Sequence, residues 1–276
     1  MSAAAGPRRP RWALALGGGA ARGIAHVGVM RVLEREGLTP DLVVGTSAGA
    51  LAGVFLAAGV SADRTAVWGE SLRWSALVRP IVSRLGLMSN ERMGDLLRRA
   101  LPVRTFDELT IPFACMATDL ATGEPVLLCE GDLDSAIRAS CAIPGLIVPV
   151  ERDGMLLVDG GVTDNVPTVT ARRLGADLVV AVDVNQTYRR PQPPSNMFEI
   201  LVHSFFTIGR AAERLATADA DVLITPDIGD IGFEQLGRAA ELIAAGEAAA
   251  RDALPRLRQR LDEPIETTPV PSGEVA

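Results

Sequence analysis

Residues 47–59, SAGALAGVFLAAG, read as a helix with no polar face. A helix that is small and apolar nearly all round must be covered on every side, so it belongs deep in a layered core. It follows DLVVG, a continuous apolar run of the kind that forms a buried strand of a parallel sheet. RWALAL at 11–16 and DLVVAVDV at 177–184 have the same character. Between them, ARGIAHVGVMRVLEREG carries Ile24, Val27, Met30 and Leu33 at helical spacing and stops at Gly37.

This alternation of strands and helices predicts a three-layer α/β/α sandwich with a mainly parallel central sheet. Further on, IPFACMATDL and EPVLLCEG form a hairpin through ATGE, and GMLLVDGG is another strand. Residues 63–101 read as helical and more charged, interrupted by Pro80 and Gly86. A long helix (198–218), a short strand DVLIT and a last helix (233–261) complete the pattern. One catalytic domain over 12–262 is expected, between a flexible stretch at 1–11 and a disordered, proline-rich tail at 263–276.

Composition narrows the function. Aromatic residues are 4% and the net charge is −7, which disfavours nucleic acid as a partner. The three cysteines, Cys115, Cys129 and Cys141, form no CxxC pair and suit a reducing, cytoplasmic setting. The two histidines, His26 and His203, are far apart, so no metal cluster is expected. No segment has the length and apolarity of a membrane span, and WALAL is too short for an export signal.

Three stretches carry chemistry. GTSAG, Gly45 to Gly49, matches G-x-S-x-G between a strand and a helix. In that setting Ser47 is a nucleophile lifted clear on a strained turn, with Gly45 and Gly49 avoiding clashes, or else a simple helix cap. LGGGAARG, with Gly17, Gly18 and Gly19, exposes backbone N–H groups at a helix start. It reads as an oxyanion hole or as a dinucleotide loop, but Ala20 and Arg22 spoil the dinucleotide pattern and the next strand ends without an acidic residue. Arg22 would hold the loop or an anionic head group. The third stretch is LLVDGGVTDNVP, where Asp159 ends a strand and meets Gly160 and Gly161.

Something must take the serine proton. Asp159 is placed to do so at the edge of a parallel sheet, with Asp183 its best rival; Asp119 and Asp164 are others, the last resembling a helix cap. A carboxylate with a pKa near ~3.9 is a weak base, which partial burial would improve. His26 lies in the first helix and faces the glycine loop or the sheet. The order Ser47, Asp159, His203 matches that of α/β-hydrolases, yet His203 sits amid a helix beside Phe205 and Phe206.

LALGGGAARGIAHVGVMRVLEREG, GTSAGA and VDGGVTDNVP together resemble the signature blocks of the patatin-like phospholipase family, with TDLATGEPV and SCAIPGLIVPV as further similar stretches over residues 12–185. The resemblance implies a lipid acyl hydrolase with no cofactor. It implies Ser47 as nucleophile, Asp159 as its partner and general base, Gly17, Gly18 and Gly19 as the oxyanion loop, and Arg22 behind them. Ala20 departs from the glycine found in many relatives. The expected substrate is a lipid or simple ester, and the expected setting is cytoplasmic with peripheral contact at the inner membrane face. Residues 63–101, with Trp68, Trp74 and Met88, are the candidate lid or interfacial surface. A Ser-His-Asp carboxylesterase using His203 and a non-catalytic lipid-binding protein are the alternatives.

Overall fold

A computed structural model describes residues 8–189, 193–194 and 197–265. In chain order the elements are β1 (Trp12–Leu16), α1 (Ala25–Arg35), β2 (Leu42–Thr46), α2 (Ala48–Ala57), α3 (Ala62–Ser71), α4 (Trp74–Leu77), β3 (Arg79–Pro80), β4 (Met88–Ser89) and α5 (Glu91–Ala100). They continue with β5 (Phe113–Asp119), β6 (Pro125–Leu128), α6 (Leu133–Ser140), β7 (Val150–Arg152), β8 (Met155–Asp159) and α7 (Thr168–Arg173). The last are β9 (Leu178–Val182), α8 (Met197–Ala218), β10 (Val222–Ile224) and α9 (Ala239–Asp262).

The main sheet runs β10-β9-β1-β2-β5-β8-β7, with β6 also on β5. The pairs from β10 to β5 are parallel. Strand alternation splits the core between two faces. Trp12, Leu14, Leu16, Val43, Cys115 and Val180 pack with helices α1, α2 and α9. Ala13, Ala15, Val44, Ala114 and Ala181 pack on the opposite face with Ala171 of α7. The expected apolar helix is α2, and Ala50, Val54, Phe55 and Ala57 on it are buried.

The β5–β6 hairpin pairs antiparallel, as the ATGE turn predicts. Within the mainly parallel sheet, strand β8 is antiparallel to β5. Residues Cys115–Thr118 of β5 pair with β6, overlapping both the β2 register (Phe113–Met116) and the β8 register (Ala117–Asp119). Strands β2 and β8 must therefore share the other edge of β5, end to end. Thr46 pairs with Met116 and Asp159 with Ala117, so the two strands point their C-terminal ends at each other.

Residues 8–11, within the stretch expected to be flexible, make several contacts with the domain. Arg8 bridges Ile265 and pairs with Asp177, and Arg9 pairs with Asp41. The expected flexibility of 1–7 and disorder of 266–276 concern residues outside those described.

Candidate active site

The head-on meeting of β2 and β8 delivers two side chains to one point. Ser47 follows β2 with φ 52 and ψ −119, a backbone conformation rarely adopted by a residue with a side chain. A turn this sharp needs its neighbours close. A Cβ at Gly45 would stand 2.6 Å from the Ala50 Cα, and one at Gly49 would overlap the Leu16 carbonyl. The Ser47 N–H donates to Ser140 Oγ at 2.8 Å. Its side chain makes no cap bond to the helix; the hydroxyl instead donates to Asp159 Oδ2 at 2.7 Å.

Asp159 is 1% exposed. Its second oxygen accepts the Gly161 N–H at 2.8 Å. Burial pushes its pKa up to about 7, and the bonds from Gly161 and Ser47 pull the other way. The rival aspartates are engaged elsewhere. Asp119 accepts from Ala121 N–H and Thr122 within its turn, Asp164 from the Thr170 hydroxyl of α7, and Asp183 from the Asn185 N–H. His203 lies on α8 with its ring stacked on Tyr188 and edge-on to Phe233.

The glycine loop adjoins the serine: a Cβ on Gly18 would lie 3.1 Å from Ser47 Cβ. Its three N–H groups are not equivalent, which corrects the expectation that all three serve an oxyanion. Gly17 N–H already donates to the Val182 carbonyl at 3.0 Å, and Gly18 N–H to the Asn165 carbonyl at 3.1 Å. Gly19 N–H has no acceptor among the described residues, and neither has the N–H of Ala48, which follows the serine.

Arg22, expected to hold the loop or an anionic head group, is 1% exposed and points into the loop's own surroundings. It donates to Asn185 Oδ1 at 2.9 Å and its guanidinium sits 4.4 Å from the Tyr188 ring centre. His26 faces the loop: its Nε2–H donates to the Gly17 carbonyl at 2.7 Å. Burial pushes the His26 pKa down to about 4, so the ring is neutral at pH 7.

A cleft of about 740 Å³, counted with its mouth, opens beside Ser47. Its walls are almost wholly apolar and include Leu51, Trp68, Leu72, Trp74, Met93 and Ile147. Trp68, Trp74 and Met88 are half-buried against the core, so they are not the exposed apolar surface of the 63–101 region. The exposed large apolar residues of that region are Val67 on α3 and a group of three, Val82, Leu85 and Leu87, on the turn between β3 and β4. Cys115 and Cys141 are buried and Cys129 is exposed. Among the described residues no group of acidic, histidine or cysteine side chains could hold a metal. No described helix is long and apolar enough to cross a membrane.

Sequence reasoning missed Ser140, Asn165 and Asn185 and gave His26 no definite role. Asn165 stands inside the Asp-Gly-Gly block, and Asn185 follows the strand that neighbours β1. The Leu16↔Val182 register is the signal that places it beside the glycines.

The profile of the family described as patatin-like phospholipase matches residues 14–172. The chain is 41% identical over 189 residues to an uncharacterized NTE family protein of Mycobacterium tuberculosis, covering 67% of this chain and 52% of that one. It is 33% identical over 182 residues to human patatin-like phospholipase domain-containing protein 6, covering 62% of this chain and 13% of the human one. The chain thus spans about half, or much less, of these relatives. Among solved structures, VipD from Legionella pneumophila superposes with a TM-score of 0.55 at 15% identity, over 90% of this chain and 67% of that one. ExoU of Pseudomonas aeruginosa, in complex with SpcU, superposes with a TM-score of 0.51 at 16% identity, over 94% of this chain and 54% of that one. At these identities the likeness is one of fold.

Proposed function

Starting from a chain that belongs to the patatin-like phospholipase family, we propose a lipid acyl hydrolase that cleaves carboxyl esters through a Ser47–Asp159 dyad. One observation carries this reading: the strained Ser47 donates its hydroxyl proton directly to a buried carboxylate at 2.7 Å. A base with a pKa near 7 is matched to proton transfer at neutral pH, which an ordinary aspartate is not. Both Asp159 oxygens are accounted for by Ser47 and Gly161, which favours the dyad over a triad through His203.

In the first step Ser47 Oγ bonds to the ester carbonyl carbon as its proton passes to Asp159. The carbonyl oxygen becomes an oxyanion, held by the N–H groups of Gly19 and Ala48 at the start of α2. Collapse breaks the ester bond, and the leaving alkoxide takes the proton from Asp159. Water then attacks the acyl-serine, giving a proton to Asp159, and Ser47 recovers it as the fatty acid departs. The apolar cleft suits an acyl chain, and Val82, Leu85 and Leu87 form the surface that meets lipid.

A fluorophosphonate ester probe tests the reading. Wild type is expected to be labelled and Ser47→Ala not; equal labelling of both overturns it.

A further inference from the structure

Gly18 and Gly19 share a peptide bond flanked by glycine on both sides. Such a unit turns over easily, because no Cβ resists the change in ψ and φ. If it flipped, a carbonyl oxygen would replace the N–H facing the reaction and would repel the oxyanion. Something outside the loop must therefore hold this peptide.

We propose that Asn185 is a positioning residue that fixes the Gly18–Gly19 peptide, with its N–H turned to the reaction. This rests on the Ser47 mechanism proposed above. Strands β1 and β9 are paired with Leu16 opposite Val182, so the segments leaving both strands run side by side. Asn185 thereby reaches the glycines and is 4% exposed. Its Nδ2 donates to the Gly18 carbonyl at 2.8 Å. The amide orientation is dictated by its other neighbours: Arg22 only donates, so the oxygen of Asn185 must face Arg22, and the nitrogen faces two acceptors, the Gly18 carbonyl and, at 3.5 Å, Glu213 Oε1.

The peptide is trans, so its N–H points away from its C=O. Holding the Gly18 carbonyl toward Asn185 therefore turns the Gly19 N–H to the opposite side. On the Asn185 side a Cβ at Gly19 would touch Val184 and Asn185 Oδ1, while Gly18 abuts Ser47. The preceding peptide is fixed as well: His26 holds the Gly17 carbonyl and Asn165 takes the Gly18 N–H. Asn165 Nδ2 lies 3.4 Å from the Gly18 oxygen, a weaker contact than that of Asn185. The Arg22 guanidinium is itself braced on Tyr188.

The test is Asn185→Asp, which keeps the shape and the acceptor for Arg22 but loses the donor to Gly18 and the longer contact of 3.5 Å to Glu213 Oε1, together with Asn185→Ala, which loses the donor without setting a new charge against Glu213. With 4-nitrophenyl butyrate, kcat should fall about 100-fold with KM changed less than about threefold, as for loss of an oxyanion donor. The discriminating readout is the ratio of kcat/KM for the oxygen ester to that for its thionoester. Sulfur is a poor acceptor, so the large wild-type ratio should fall at least about tenfold in both variants, the Ala48 N–H keeping part of it. The amide proton of Gly19 should shift strongly downfield on phosphonylation in wild type and hardly at all in the variants. Folded variants with a wild-type ratio and a wild-type Gly19 shift overturn the proposal, as does a rise in KM alone. Failure of both variants to fold also overturns it, since the role would then be structural. Failure of the underlying mechanism reads differently: Ser47→Ala would be labelled like wild type.

Discussion

Asp159 pays for its basicity with burial, and that has two measurable consequences. In the dyad proposed above the base is the Asp159 carboxylate, so kcat/KM should rise about tenfold per pH unit below about 7 and level off above it. A profile flat from pH 5 to 8 would remove Asp159 as the base. The second consequence is for stability. The folded-state pKa is raised above that of the unfolded chain, so its stabilising protonated form is complete below about 3.8 and lost as pH rises through about 7. At about 1.4 kcal/mol per unit, the buried charge costs the fold on the order of 4 kcal/mol at pH 8. Asp159→Asn should therefore melt above wild type at pH 8, with the gap closing toward pH 4, while turnover falls at least ~10³-fold. That Ser47 and Asp159 each stand on a tight turn at a strand end was legible, because their flanking glycines and strands are local. Which glycine N–H groups are free was not, because Val182 and Asn165, which occupy two of them, lie well over a hundred residues away.

At the scale of elements, the glycine loop is steadied by α1, and α1 is held by α9. The two helices cross with no room between them: a Cβ on Gly28 would overlap the Ile243 carbonyl, and one on Gly246 the Ala25 carbonyl. Backbone cannot step aside as a side chain can. Gly28→Ala should cost about 3 kcal/mol or more in urea unfolding. It should also loosen His26, two residues away, from the Gly17 carbonyl. A variant as stable as wild type would mean the helices slide apart freely. The helices themselves were readable from apolar spacing, and the residues where they cross were not, because a glycine in a helix pattern carries no sign of what approaches it. The direction of β8 is not legible for a related reason. An apolar strand ending in Asp-Gly-Gly looks the same whichever way its neighbour runs.

The whole molecule places its cleft and its exposed aliphatic turn together. Val78 and Ile147 line the cleft; β3 begins at Arg79, directly after Val78, and Met88 of β4 bridges Ile147. Val82, Leu85 and Leu87 then stand out in solvent, with Arg84 among them. Replacing all three by serine should weaken sedimentation with phospholipid vesicles at least tenfold, since each inserted aliphatic side chain contributes up to about 2 kcal/mol. Hydrolysis of a soluble short-chain ester should be unchanged, and undiminished vesicle binding would refute the assignment of this surface. By itself, the sequence determined the layered α/β fold, the serine turn and the Asp-Gly-Gly turn, because strand and helix patterns and tight turns are set by neighbouring residues. Only the tertiary structure decided that β2 and β8 meet end to end on one edge of β5, that Arg22 is buried, and that Asn185 touches the Gly18 carbonyl. Those facts depend on sheet register between distant segments, and a register is fixed by the packing of the whole core.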